Sequence, residues 1–199
     1  MLGGPGVPLA AAMAMILAAQ KDPLVIDLIG KGISLTPLTE SPVYFDYAGN
    51  GMAQQTSWIG AGTGFLATLG ADGLVDNGTD LITSFVQLAT FDTAGDGLIG
   101  GSDMNKLVVW QDTNGDGVCQ SDELQTLSQL GITSIQLDAS QTNENIQGSN
   151  IRQVATVTFA DGKTTQIGAA DLSLSNVDTK DMNNYISGGP IPSLPNLRA

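Results

Sequence analysis

The chain has 199 residues, a formal net charge of −13 at pH 7, a single cysteine and no histidine. This length is enough for one domain with a sizeable core. The absence of histidine excludes a histidine-based catalytic triad and an ordinary zinc site, and one cysteine excludes an internal disulfide. So acidic a chain is expected to bind neither nucleic acid nor anionic lipid.

Residues 1–21 are predicted to be an apolar N-terminal arm or linker, rich first in Gly and Pro and then in Ala and Met. The apolar run is too short to span a bilayer, which takes about 20 residues. It also lacks the positively charged start of a secretory signal. We expect a short helix after Pro8 that docks on another surface, with membrane contact as the less favoured alternative.

Residues 22–80 alternate between short apolar runs and turns rich in Asp and Gly. Residues 24–28 predict a buried strand, and Gly30 and Gly32 mark the turn that follows it. Residues 42–51 repeat this order of a strand, an Asp and a Gly-rich turn. We interpret these segments as a weak internal repeat whose loops are structural turns.

The most informative motif is residues 112–123, which read D-x-N-x-D-G-x5-E and match a calcium loop of EF-hand type. Ca²⁺ binds six to eight oxygens at roughly 2.3–2.6 Å, and alternate positions of such a loop converge on one point. The predicted ligands are the side chains of Asp112, Asn114, Asp116 and Glu123, the main-chain carbonyl of Val118, and Gln120 through its side chain or a water. Gly117 permits the sharp turn, and Cys119 takes an apolar position. The alternative is an Asp/Gly-rich surface turn without metal.

A second, weaker calcium loop is predicted at residues 92–103. Its expected ligands are the side chains of Asp92, Asp96 and Asp103 and the carbonyl of Leu98. Ala94 lacks the oxygen expected at the third position, and Asp103 is shorter than the usual Glu. We therefore expect lower calcium affinity here than in the later loop.

Helical spacing of apolar residues after Asp80, in residues 102–111 and in residues 121–130 predicts three helices around these loops. Further along, residues 132–137 alternate like a strand, and Asp161-Gly162 between alternating runs predicts a hairpin. The fold class is therefore α+β: a compact EF-hand-like helix-loop-helix pair packed against short β-strands and a C-terminal β-hairpin. We expect a module at residues 22–172 and a Pro/Gly-rich linker at residues 173–199.

An ordered set of segments resembles the self-processing module of FrpC-type RTX proteins. The segments are Asp22-Pro-Leu-Val-Ile-Asp27-Leu, Val43-Tyr-Phe-Asp46, Trp58-Ile-Gly-Ala-Gly62, Asp72-Gly-Leu-Val-Asp-Asn-Gly78, Val109-Trp-Gln-Asp112-Thr-Asn-Gly-Asp-Gly117 and Glu123-Leu-Gln-Thr-Leu-Ser-Gln-Leu-Gly-Ile132. The resemblance implies a secreted bacterial protein in which calcium triggers cleavage of the Asp22-Pro23 bond. It also implies that the freed Asp22 can be joined to a lysine of an acceptor protein as an Asp–Lys isopeptide.

The chemistry of that bond can be argued from the residues themselves. Proline forms a tertiary amide, so its nitrogen cannot close onto the Asp22 side chain as a succinimide. The Asp22 carboxylate can instead attack its own main-chain carbonyl, form a cyclic anhydride and expel the amine of Pro23. Such alignment within one residue is worth up to about 7–11 kcal/mol of barrier. As a dipeptide alone, however, Asp-Pro is an ordinary turn before a strand.

The N-terminal loops depart from the pattern of the family. Lys31 takes the place of a carboxylate in Asp27-Leu-Ile-Gly-Lys-Gly32, and the loop that begins at Asp46 also has fewer possible metal ligands than the family pattern. Two interpretations therefore stand. The first is a calcium-triggered self-cleaving module with Asp22 as nucleophile and Pro23 as leaving group. The second is a non-catalytic calcium-binding structural or adhesive module of a secreted toxin or effector.

Overall fold

The structure is a computed structural model that describes residues 22–182. The predicted N-terminal arm and residues 183–199 of the predicted linker lie outside these residues. The described part is mostly β-structure. Its strands are β1 (Leu24–Asp27), β2 (Leu35–Thr36), β3 (Tyr44–Phe45), β4 (Met52–Thr56), β5 (Trp58–Ile59), β6 (Thr63–Ala67), β7 (Leu98–Gly100), β8 (Val108–Trp110), β9 (Leu124–Thr126), β10 (Ile132–Gln136), β11 (Ser140–Ile146), β12 (Ser149–Phe159), β13 (Thr164–Asp171) and β14 (Leu174–Asp181).

Nine of these strands form one antiparallel sheet that curls into a half-barrel. Its order is β7-β10-β12-β13-β1-β6-β8-β9, and β11 pairs with the first half of β12, whose last residues pair with β10. Strand β1 lies in the middle, between β13 and β6, and all four of its residues are buried. A continuous apolar strand of this kind is covered on both faces. Two smaller sheets, β14-β4-β3 and β2-β5, complete the fold.

The core consists of two hydrophobic clusters that lie on opposite faces of β1. Leu24 and Ile26 belong to the first cluster, and Val25 belongs to the second. Successive side chains of a strand point to opposite faces, which accounts for this division. The second cluster contains Phe65 and both tryptophans, and it is the one that contacts the acidic loop after β8.

The predicted EF-hand-like helix-loop-helix pair is wrong. The helical structure between residues 80 and 130 is one α-turn, α1 (Phe85–Leu88), and the 3₁₀ helices Ala89–Phe91, Gly101–Lys106 and Ser121–Glu123. The second half of the predicted helix 102–111 is strand β8. Its Val-Val-Trp sequence is β-branched and aromatic, and it pairs with β6 on one side and β9 on the other. The acidic loops therefore connect strands and 3₁₀ turns.

Several sequence predictions of β-structure are confirmed. Strand β1 begins at Leu24, β10 matches the alternating run from Ile132, and β12 and β13 form the hairpin around Asp161-Gly162. The boundary predicted at residue 173 differs from the structure, because β14 continues to Asp181 and pairs with β4. None of the helices in residues 22–182 has the length and apolar character needed to cross a membrane.

Candidate functional site

One turn recurs four times in the fold, each time with the pattern Asp-x-x-Gly-x-Gly. The copies are residues 27–32, 46–51, 92–97 and 112–117, and both glycines of every copy have positive φ, between 65° and 90°. In three copies the carboxylate of the first Asp accepts hydrogen bonds from the main-chain N–H groups of both glycines, at 2.6–2.9 Å. In the copy at Asp46 the bonds come from Ala48 and Gly51. The four segments with this pattern therefore share one local backbone structure.

The two loops predicted to bind calcium share a further feature. In each, the carboxylate at the twelfth position accepts from both the main-chain N–H and the hydroxyl of the threonine at the second position. These bonds join Glu123 to Thr113, at 2.8 and 3.2 Å, and Asp103 to Thr93, at 3.2 and 2.6 Å. The hydrogen bonds from Thr93 lower the pKa of Asp103 below its ordinary value. Both loops are thus closed in the same way, although their sequences differ at the twelfth position.

In loop 112–123 the carboxylates are heavily engaged by internal donors. Asp112 accepts four hydrogen bonds, from three main-chain N–H groups of the loop and from the indole of Trp58. Glu123 also accepts four, from Thr113, from the main-chain N–H of Gln120 and from the indole of Trp110. A carboxylate offers about four lone-pair positions, so both groups are saturated in this arrangement.

The remaining side chains of this loop do converge. The amide nitrogen of Asn114 donates to Asp116 at 3.0 Å and to the side-chain oxygen of Gln120 at 3.2 Å, and the Gln120 amide donates to Asp116 at 3.1 Å. Three of the predicted ligands thus meet at one point. The side chain of Val118 is exposed, and Cys119 is buried in the apolar cluster, as expected for its position in the motif.

Loop 92–103 is the more open of the two. Asp92 accepts two hydrogen bonds and Asp96 accepts one, so within the described residues both keep unused lone pairs. Asp96 and Asp103 line an open cleft of about 450 Å³, together with Thr93 and Leu98. The loop with the weaker motif therefore has the more available carboxylates.

All the predicted ligands are oxygen donors, and the positive φ of the loop glycines provides the chain reversal that a calcium loop requires. The residues therefore fit Ca²⁺ in chemistry and in chain path. Within residues 22–182 no three carboxylates or thiols lie close enough together to hold a metal ion in the arrangement described. An ion at either loop would therefore have to exchange some of the internal hydrogen bonds for bonds to itself.

The predicted cleavage bond lies at the start of the central strand. Pro23 is buried, and its carbonyl accepts a hydrogen bond from the main-chain N–H of Ala170 at 3.0 Å. The next residue, Leu24, donates to the carbonyl of Ile82 at 2.7 Å. The segment that would leave is therefore fixed in the sheet on the proline side of the bond.

The Asp22 side chain is 15% exposed and lies beside a cation. Arg152 Nε is 3.1 Å from Asp22 Oδ2, and Arg152 Nη2 donates to Asp171 Oδ2 at 2.5 Å. Burial raises the pKa of Asp22 above its ordinary value; Arg152 opposes this and Asp171 adds to it. The structure thus holds Asp22 in a charged cluster at the edge of the core, about which the dipeptide alone gave no information.

Sequence reasoning missed Arg152, Trp58 and Trp110. The signal for the arginine was its rarity, since seven basic residues stand against twenty acidic ones and Arg152 interrupts an alternating strand. The indoles carried no comparable signal, because buried aromatic residues are usual in any core.

Residues 24–174 match the family described as SPM domain. The chain is 33% identical to the iron-regulated protein FrpA of Neisseria meningitidis serogroup C over an alignment of 177 residues that covers 80% of the chain. The chain spans only 16% of that relative's length. The resemblance carried by the ordered segments is thereby confirmed as a family relationship. The chain belongs to the SPM domain family.

Proposed function

We propose that this chain is a calcium-dependent self-processing module of a secreted bacterial RTX-like protein, and that it cleaves its own Asp22-Pro23 bond. The observation that carries the proposal is the placement of that bond. Pro23 is held at the start of the central strand by its hydrogen-bonded carbonyl, while the Asp22 carboxylate is held beside Arg152 at 3.1 Å. Membership of the SPM domain family supports the assignment. The acidic composition suits a protein that folds fully where calcium is abundant.

Cleavage would proceed within a single residue. One oxygen of the Asp22 carboxylate attacks the carbon of its own main-chain carbonyl, and the bond from that carbon to the Pro23 nitrogen breaks. The nitrogen takes a proton from water and leaves as a secondary amine, while Asp22 becomes a cyclic anhydride. Water opens the anhydride, and the net reaction is hydrolysis. A lysine amine of an acceptor protein can open it in place of water, which gives an Asp–Lys isopeptide.

The sheet assists this reaction by immobilising the leaving segment. The hydrogen bonds at Pro23 and Leu24 fix the proline ring, so only the Asp22 side chain has to reach its attacking position. Restricting the motion of reacting groups in this way can lower the barrier substantially and requires no histidine. Burial of Asp22 makes its carboxylate less solvated and more reactive once it is ionised.

Calcium would be held by Asp112, Asn114, Asp116, Val118, Gln120 and Glu123, and in the second loop by Asp92, Asp96, Leu98 and Asp103. When bound, it supplies positive charge that neutralises the carboxylates and orders the loops. The loop after β8 touches the core through Trp58 and Trp110, which pack on Phe65. Phe65 is the register partner of Val25 in β1. Ordering of this loop therefore acts on the strand that begins at the cleavage bond.

The proposal is tested by adding calcium to the purified chain and following it on a denaturing gel. A cut after Asp22 that is lost in Asp22→Ala supports self-processing. A full-length chain that only gains melting temperature supports a non-catalytic calcium-binding structural or adhesive module. The second candidate is favoured by one observation, since the Asp22 carboxylate forms an ion pair that also suits a purely structural role.

A further inference from the structure

Strand β12 carries a β-bulge directly beside the proposed cleavage bond. Its register with β13 pairs Ile151 with Ala170 and Gln153 with Ala169, so Arg152 is the additional residue without a partner on β13. A bulge locally bends a strand and re-aims the side chain of the extra residue, and bulges are frequent beside active sites. Here the bulged residue is the arginine that reaches Asp22.

Three strands bring the charged groups together. The register of β13 with β1 pairs Leu24 with Ala169, and its continuation by two residues places Asp22 opposite Asp171. Arg152 reaches both carboxylates from the neighbouring strand, with Nη2 on Asp171 at 2.5 Å and Nε 3.1 Å from Asp22. The arginine thus lies between the carboxylate of the reacting residue and a second carboxylate that anchors it.

The contact with Asp22 is close without being a formed hydrogen bond. Arg152 Nε is buried and has no hydrogen-bond partner in the described residues, because its N–H is not aligned with Asp22 Oδ2 despite the short distance. A buried donor without a hydrogen-bond partner costs free energy, so the position of Arg152 Nε needs an explanation. The explanation we offer is that an ion pair without an aligned hydrogen bond holds the Asp22 carboxylate and still allows it to move.

We propose that Arg152 is a positioning residue for the Asp22-Pro23 bond. Its guanidinium, aimed by the bulge and anchored by Asp171, holds one oxygen of the Asp22 carboxylate and leaves the other to attack the main-chain carbonyl. This inference rests on the self-processing function proposed above. The arginine also favours the ionised form of Asp22, which is the nucleophile, because it opposes the rise in pKa that burial and Asp171 cause.

The test compares Arg152→Gln, Arg152→Lys and Asp171→Asn with the unmodified 199-residue chain. Calcium-triggered cleavage is timed from pH 4 to 8. We expect Arg152→Gln to cleave about 10- to 100-fold more slowly, the loss that small misplacements of a reacting group cause. The pH at which its rate is half-maximal should rise, and Arg152→Lys should recover part of both changes. Asp171→Asn should slow cleavage by loosening the arginine, while shifting the half-maximal pH downward because one negative neighbour of Asp22 is lost.

Lys163→Gln is the matched control, because it removes a cation of the same hairpin that pairs with Asp161 and not with Asp22. It should cleave like the unmodified chain. Cleavage by Arg152→Gln at the unmodified rate and with the unmodified pH profile would overturn the inference.

A second measurement does not depend on cleavage. The ionisation of the Asp22 carboxyl, followed by NMR without calcium, should move to higher pH in Arg152→Gln and stay in place in Lys163→Gln. If the unmodified chain is never cut but this shift is found, the proposed function fails while the contact between Arg152 and Asp22 stands. If the ionisation of Asp22 is the same in both variants, the positioning role itself is refuted.

Discussion

Trp58 donates its indole N–H to Asp112 Oδ2 at 2.6 Å. Trp110 donates in the same way to Glu123 Oε2, at 3.2 Å, and the two indole rings touch with centroids 5.6 Å apart. The first and last residues of the acidic loop are thus tied to one aromatic cluster in the core. Since both ring systems are at most 2% exposed, a change at the loop is felt directly by buried side chains.

Calcium should therefore change the tryptophan fluorescence of this chain. The two tryptophans of the sequence are the two that hold the loop, so all of the tryptophan emission comes from side chains in contact with it. Binding that draws Glu123 toward an ion must weaken its 3.2 Å bond from Trp110 and alter the emission. The measurement is a fluorescence titration with Ca²⁺, with Mg²⁺ as the comparison. The Glu123→Gln variant should need a higher calcium concentration, and an unchanged titration in that variant would exclude this loop as the source of the signal.

Asp27→Asn should destabilise the fold whether or not calcium is present. Asp27 is 3% exposed and accepts four main-chain N–H bonds, from residues 29, 30, 31 and 32. An asparagine would turn an N–H toward one of these donors, and an unsatisfied buried donor costs about 1–3 kcal/mol. Urea unfolding with calcium and with a chelator should give the same loss of the free energy of unfolding.

Asp112→Asn provides the contrast to Asp27→Asn. It belongs to the same recurring turn and its carboxylate also accepts four hydrogen bonds, so we expect a comparable loss of stability without calcium and a larger loss with calcium. If Asp27→Asn lost more stability with calcium than with a chelator, the first loop would have to be counted as a metal site in spite of Lys31.

Gly117→Ala should cost more stability than Gly115→Ala. Both glycines have φ of 73°, a conformation that costs an L-residue about 1–2 kcal/mol. A methyl group at Gly115 meets no atom within 4 Å, whereas at Gly117 it would lie 2.4 Å from Val43 Cγ1. Val43 is 1% exposed and has little room to move, so the overpacking adds about 1–3 kcal/mol. Denaturant unfolding of the two variants measures the difference, and equal losses would show that residues 112–117 do not pack on Val43.

The Asp22 carboxyl should make the fold less stable as the pH rises from 3.8 through the folded pKa of this group. Burial holds the pKa of Asp22 above its unfolded value of 3.8, so its stabilising contribution is complete below that value and is lost as the pH rises through the folded pKa. Asp22→Asn removes this dependence, and it should gain stability relative to the unmodified chain over that range in calcium-free urea unfolding.

Asp161 supplies a control of opposite sign for this pH effect. Hydrogen bonding to Lys163 lowers the pKa of Asp161, so its contribution is present above 3.8 and is lost as the pH falls through the folded pKa. Asp161→Asn should therefore lose stability relative to the unmodified chain at neutral pH, whereas Asp22→Asn should gain it. A pH dependence of Asp22→Asn identical to that of the unmodified chain would contradict the burial of Asp22.

Local signals in the sequence were enough for some of the strands and for the acidic turns. Alternation predicted β10, the Asp-Gly pair predicted the hairpin of β12 and β13, and the motif of residues 112–123 predicted a turn whose glycines do have positive φ. These features depend on a few neighbouring residues. The helices failed because the spacing of Leu124, Leu127 and Leu130 suits a helical face as well as a strand followed by turns. An EF-hand type of loop does not require flanking helices.

Long-range features were beyond such reasoning. The charged cluster of Asp22, Arg152 and Asp171 depends on the register of three strands and on one bulge, which no local pattern encodes. The same holds for the indole bonds to Asp112 and Glu123, which join residues 54 and 13 positions apart. The sequence thus predicted which bond to consider, and the fold identified the groups around it.

Intact-mass analysis of the purified chain after addition of calcium tests the central claim most directly. Self-processing predicts two products, residues 1–22 and residues 23–199, whose masses together exceed that of the chain by one water, and hydroxylamine should trap Asp22 as a hydroxamate. A chain that binds calcium, as its tryptophan emission would report, and yet keeps its full mass would contradict the account.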